Sequence, residues 1–97
     1  MLFDWSDAKA RYNRAKHGVA FEAVTRFDLE TALILFDDRR DYGEIREQAL
    51  RMIDDRLHQL AFTRRGHVLR IISLRPASRR ERARYNAWVD QNEQSDV

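Results

Sequence analysis

Hydrophobic and polar positions alternate along this chain in several distinct rhythms, and each rhythm predicts an element. Phe3 and Trp5 flank Asp4 with the period of two expected of a short strand. A helix over 8–17 follows, capped by Ser6 or Asp7, with Ala8, Tyr12 and Ala15 on one face. Gly18 ends it, because glycine accepts the left-handed conformation beyond a helix C-terminus. Phe21, Val24 and Phe27 recur every third residue and predict a second helix over 21–29, although Ala20 offers no capping side chain. Residues 31–36 form a continuous apolar run suited to a strand buried on both faces.

After a polar connection over 37–44, three strands at hairpin spacing are predicted over 47–53, 57–64 and 67–74, with turns at Asp54-Asp55-Arg56 and Arg65-Gly66. Strict alternation puts Leu60 and Phe62 on one face of the second of these strands. On the third it groups Leu69, Ile71 and Ser73 against Arg70, Ile72 and Leu74. A last helix over 79–91 has Tyr85, Trp88 and Val89 as apolar contacts, and residues 92–97 are expected to fray. The order β-α-α-β-β-β-β-α predicts one α+β domain over 1–97: a largely antiparallel sheet, packed on helices on one side and partly open on the other.

Arginines crowd the last strand-to-helix junction. Ser78 and Glu81 have the spacing of a capping box, in which the serine oxygen accepts from the third helical amide and the glutamate accepts from the cap amide. Arg79, Arg80, Arg82 and Arg84 occupy the first turns against Glu81 alone, where the helix dipole disfavours cations. Arg70 and Arg75 lie on or beside an otherwise apolar strand, where a charge needs a partner or a ligand. A solvated basic face is the plain reading of the helix; an anionic ligand accounts for helix and strand together.

The charge distribution sharpens this. Formal net charge is only +2, yet residues 1–62 hold ten Lys/Arg against twelve Asp/Glu, and residues 63–97 hold eight against four. A localised basic face points to a phosphate-bearing or acidic partner. The chain has no cysteine, which excludes a disulfide framework and thiolate chemistry and fits a reducing compartment. No apolar run reaches the length of a membrane span, and the first residues lack a signal-peptide pattern, so a cytoplasmic location is expected.

His17, His58 and His67 are scattered without metal-ligand spacing, and Gly18, Gly43 and Gly66 are isolated turn glycines, so neither a metal nor a nucleotide cofactor is expected. Metal-free RNA cleavage asks for fewer parts. The substrate's 2′-hydroxyl is the nucleophile, a base takes its proton, cations stabilise the phosphorane, and an acid protonates the leaving 5′-oxygen. His17, Glu81 and Tyr85 could move protons, and Arg64, Arg70, Arg75, Arg79 and Arg80 could hold phosphate. Each has a structural alternative: helix-end electrostatics for His17, the capping box for Glu81, a core aromatic for Tyr85.

Phe3, Trp5, Lys9, Asn13 and Lys16-His17-Gly18 near the start, with Arg70-Ile71-Ile72-Ser73, Arg75, Glu81 and Tyr85 near the end, together resemble the motifs of the BrnT toxins of bacterial type II toxin–antitoxin systems. Phe3, Trp5, Lys9, Asn13 and Lys16-His17-Gly18-Val19 with Phe21 are similar to that family's opening F-x-W-x-x-x-K-x-x-x-N-x-x-K-H-G-V-x-F. Asp37, Gly43-Glu44 and Arg46 resemble its acidic loop. Arg70-Ile71-Ile72-Ser73-Leu74-Arg75-Pro76-Ala77 with Glu81 and Tyr85 resembles its closing R-I-I-S-A-R-x-A-x-x-x-E-x-x-x-Y, with Leu74 in place of alanine and Pro76 at a position often basic.

The resemblance implies a RelE-like antiparallel sheet with two N-terminal helices and a C-terminal helix. It implies a metal-independent endoribonuclease that arrests translation and growth. The implied partners are RNA and a BrnA-like antitoxin with a ribbon-helix-helix part, through which alone the toxin meets operator DNA. Carried over by position, His17, Arg70, Arg75, Glu81 and Tyr85 are the expected catalytic residues, with Lys16 on phosphate. Local charge adds Arg64, Arg79 and Arg80 as phosphate contacts. The competing expectation is a non-catalytic basic module that docks nucleic acid or an acidic protein segment.

Overall fold

The structure, a computed structural model, describes residues 2–38 and 41–95, with side chains to 92. Five strands form one sheet in the order β1-β5-β4-β3-β2: β1 Leu2–Asp4, β2 Leu33–Asp37, β3 Arg46–Ile53, β4 Arg56–Arg65 and β5 Val68–Pro76. Strands β2 to β5 make an antiparallel meander, and β1 pairs in parallel with the start of β5, Leu2 opposite Val68 and Asp4 opposite Arg70. Asp54, at φ 56°, supplies the left-handed residue of the two-residue β3–β4 turn, so Arg56 belongs to the strand rather than to the turn.

Helix α1, Asp7–His17, begins and ends as its sequence predicts. Ser6 accepts from the Lys9 N–H at 3.1 Å, and Gly18 adopts φ 72° with its N–H donating to the Arg14 carbonyl at 2.9 Å. Its expected apolar face is not its buried face. Ala8, Tyr12 and Ala15 are all exposed, and the buried residue is Asn13.

The predicted second helix is instead a six-residue 3-10 helix, Phe21–Arg26, followed by a second 3-10 turn at Leu29–Thr31. Spacing of three is the period of a 3-10 helix, whose i and i+3 side chains eclipse, whereas an α-helix drifts away from it. With Ala20 making no side-chain cap bond, the three-residue repeat sets the geometry: Phe21, Val24 and Phe27 all point into the core.

That core lies between the N-terminal layer and one face of the sheet, where Phe21, Val24 and Phe27 pack on Ala49, Leu60, Phe62, Ile71 and Leu74, and Trp5 meets Phe21 edge-on at 5.8 Å. Strict alternation would put Ile71 and Leu74 on opposite faces. A bulge decides otherwise: Ala61 pairs Ser73 but Phe62 pairs Ile71, so the register skips Ile72 and both apolar residues reach the core.

Helix α2, Arg79–Ser95, continues past the expected stop at residue 91 and packs on the other face. Tyr85 joins Leu50, Leu57 and Ala77 in a second cluster with Trp88, Val89, Leu33 and Leu35. The apolar run over 31–36 is thus not a doubly buried strand: β2 is the sheet's edge, and Phe36 is 73 % exposed. α2 covers only part of its face, and Gln48, Ser73 and Arg75 beyond it are half-buried. No helix of the described residues is long and apolar enough to cross a membrane.

Candidate active site

The uncovered part of the α2 face is a cavity of about 370 Å³. Its floor is the sheet, with Gln48 on β3, Gln59 and Ala61 on β4, and Ser73 and Arg75 on β5. Its wall is α1, which presents Lys9, Tyr12, Asn13, Lys16 and His17, and Asp37 and Arg46 close the far end.

Positions 9, 12, 13, 16 and 17 are the i, i+3, i+4, i+7, i+8 stripe of a helix, a pattern that normally buries apolar residues. Here it is polar, with two cations, Lys9 and Lys16. The stripe is the site signal in the sequence: it contains Lys9, and also Tyr12, which an apolar pattern alone groups with Ala8 and Ala15.

Asn13 holds this wall to the floor. β1 covers the outer edge of β5 only as far as Arg70, leaving the backbone of Leu74 without a strand partner on that side. The Asn13 amide donates to the Leu74 carbonyl at 2.7 Å, its oxygen accepts from the Leu74 N–H at 3.1 Å, and the amide also donates to the Val19 carbonyl at 3.0 Å. A side chain thus satisfies groups that a sixth strand would have paired.

Arg75 is held from the opposite side. Its two Nη groups donate to the Glu81 carboxylate at 2.8 and 2.9 Å, a bidentate pair, while Gln59 donates to the same carboxylate at 2.8 Å. Glu81 also completes the capping box, accepting from the Ser78 N–H at 2.8 Å as Ser78 Oγ accepts from the Glu81 N–H at 3.2 Å. Burial by itself would raise the Glu81 carboxyl, but the hydrogen bonds from Arg75 and Ser78 outweigh it and hold the group below the ordinary carboxylate value. Glu81 is therefore an ionised orienter of Arg75. It carries no proton to give at neutral pH.

His17 is shifted down from its ordinary value by burial first, then by the positive charges of Lys16 and Arg75. It is a neutral imidazole at pH 7, able to accept a proton, beside cations that can meet an anion.

Of the residues expected at the site, His17, Lys16 and Arg75 line the cavity, with Glu81 behind Arg75. The others lie elsewhere. Arg70 turns toward the β1 edge, where it pairs with Asp4 at 3.3 Å. Arg64 is bound by Glu47 at 2.7 Å, a hydrogen bond that raises its pKa further. Arg79 and Arg80 are exposed in the first turn of α2 and do not line the cavity. Tyr85 is 7 % exposed within the second core and accepts from Arg51 at 2.9 Å. The arginine cluster therefore does not converge: sheet pairing and the direction of α2 send its members to four different places.

Arg46 is a site residue that local charge gave no reason to choose. Its guanidinium lies 3.9 Å from the Tyr42 ring centroid, and its Nε is 3.8 Å from Glu44, buried and without a hydrogen-bond partner among the described residues. Among those residues no three His, Cys, Asp or Glu side chains gather to hold a metal ion.

A family model described as "Ribonuclease toxin, BrnT, of type II toxin-antitoxin system" matches residues 5–81. The crystal structure of the Brucella abortus ribonuclease toxin BrnT is similar over 81 % of this chain and 100 % of its own, with a TM-score of 0.66 and 25 % sequence identity. No curated protein sequence matches.

Proposed function

The chain belongs to the BrnT family of ribonuclease toxins of type II toxin–antitoxin systems, and from that premise we propose that it is an endoribonuclease that cuts RNA without a metal ion. What supports this reading most is the meeting of His17, Lys16 and Arg75 on one solvent-facing cavity.

Neutral His17 takes the proton of a 2′-hydroxyl. The oxygen attacks the adjacent phosphorus, the bond to the 5′-oxygen breaks, and that oxygen collects a proton from solvent. Arg75, locked by Glu81, and Lys16 stabilise the extra negative charge of the phosphorane; donors fixed before reaction need no reorganisation as that charge develops. The products are a 2′,3′-cyclic phosphate and a 5′-hydroxyl. Glu81 acts through Arg75 rather than on the proton, and Tyr85 supports the helix that carries Glu81.

Cleavage arrests translation and growth. A BrnA-like antitoxin with a ribbon-helix-helix part neutralises the toxin and carries it to operator DNA. The likeness to RelE-type ribonucleases belongs to this reading as well.

The test is purified, antitoxin-free protein with end-labelled RNA, with and without EDTA. Cyclic-phosphate ends in both reactions are expected, and loss of cleavage in His17→Ala and Arg75→Ala. Intact RNA that is nonetheless bound would leave the basic docking module as the better account.

A further inference from the structure

Two aromatic–cation pairs reach the cavity that holds His17 and Arg75. On the α1 side, Tyr12 is 66 % exposed, belongs to neither core, and has Lys16 Nζ at 5.7 Å from its ring centroid. At the far end Arg46 lies against Tyr42 at 3.9 Å. Both Tyr12 and Arg46 line the cavity that holds His17 and Arg75.

A single exposed aromatic is unremarkable on a protein surface. Its position is not: Tyr12 stands in the polar stripe, beside cations, at the mouth of a cavity. Arg46 differs equally from its neighbours. Glu47 holds Arg64 at 2.7 Å and Glu81 holds Arg75 at 2.8 Å, whereas Glu44 stands 3.8 Å from Arg46. The best-made contact of Arg46 is the stack. Tyr42 in turn donates its hydroxyl to Asp37 at 3.3 Å, which fixes the ring from its rim.

We propose that the cavity takes single-stranded RNA with one nucleobase stacked on Tyr12 and a second on the Arg46–Tyr42 stack, so that the sugar–phosphate between them passes over His17 and Arg75. The assignment rests on the ribonuclease reading and names its substrate class. Unpaired bases can be splayed apart and laid on aromatic or guanidinium planes; bases in a duplex have both faces covered. Stacking of this kind tolerates any base, so the two subsites select unpaired RNA rather than a sequence.

The experiment uses the full chain carrying His17→Ala, slowed so that binding is read before cleavage, and a single-stranded RNA oligonucleotide containing 2-aminopurine. Binding should quench the probe, Tyr12→Ala and Arg46→Ala should each weaken binding about ten- to a hundredfold, and Tyr12→Phe should restore it. With His17 present, Tyr12→Ala should raise KM by a similar factor and leave kcat nearly unchanged. Because Tyr12 is exposed, an unchanged thermal unfolding curve for Tyr12→Ala serves as the folding control. If Tyr12→Ala binds and cleaves like the parent, or a duplex is cut as readily as a single strand, the stacking subsites are wrong while the nuclease reading stands. If the parent neither binds nor cuts RNA, both fall.

Discussion

Asn13 satisfies both backbone groups of Leu74, at 2.7 and 3.1 Å, across a sequence separation of 61 positions. Asn13 lies one helical turn before His17, and Leu74 immediately precedes Arg75. One amide therefore sets the distance between the imidazole and the guanidinium.

Asn13→Ala should lower stability by about 1–3 kcal/mol, since it leaves buried backbone groups without partners. Cleavage should slow as well, although Asn13 need not touch RNA. Urea unfolding and single-turnover cleavage on the same preparation test this, and a variant of parental stability and rate would sink it.

His17→Ala should slow cleavage by about 10²-fold or more, the range expected of a positioned general base. The pH profile tests the cause. Burial, Lys16 and Arg75 disfavour the imidazolium, so the acidic limb should fall below the ordinary value of 6.5. The sign for stability follows: this histidine's contribution is complete above 6.5 and is lost as pH falls toward the lower folded value. Lys16→Gln should move the limb upward, and NMR titration of His17 should move with it. A limb that ignores Lys16 would remove the imidazole from the mechanism.

Glu81→Gln should cost about 1–2 kcal/mol, through a weakened capping box and the loss of a charge-assisted pair. Glu81 is held below its ordinary 4.5, so its contribution is present above that value and disappears as pH drops through the lower folded one. Acid unfolding of Glu81→Gln should accordingly be less steep than that of the parent. Equal slopes would show that the carboxylate does not carry the linkage.

Arg75→Ala should cost about 10²–10³ in kcat, as expected for a group placed on developing charge. Arg70→Ala should have little effect on rate, because Arg70 does not line the cavity, and little on stability, because its pair with Asp4 is partly exposed, at 31 % and 51 %, and such pairs contribute up to about 1 kcal/mol. Tyr85→Phe should lose about 1 kcal/mol of stability with its Arg51 bond and keep its cleavage rate. A hundredfold loss in either of the last two variants would move the active centre away from the cavity.

Much of this molecule is local and was legible as such. Ser6, Gly18 and the Ser78–Glu81 box mark helix ends through bonds that span at most a turn, and the hairpin turns lie where Asp54 and Gly66 permit left-handed backbone. The opening and closing motifs pointed to a toxin family through residue identity alone. Period is less decisive, since a spacing of three fits a 3-10 helix as well as a turn or two of α-helix, and an apolar run says nothing about whether its strand is central or at an edge.

The sequence by itself determined the order of elements, their caps and the supply of charged groups, because these depend on neighbours in the chain. Only the tertiary structure decided which charges meet. A bulge that skips Ile72, an asparagine that closes the β5 edge, and a helix that covers part of one face select Arg75 from its neighbours and bring it to His17. Convergence of that kind depends on strand register and on packing between distant segments, and no window of adjacent residues contains either.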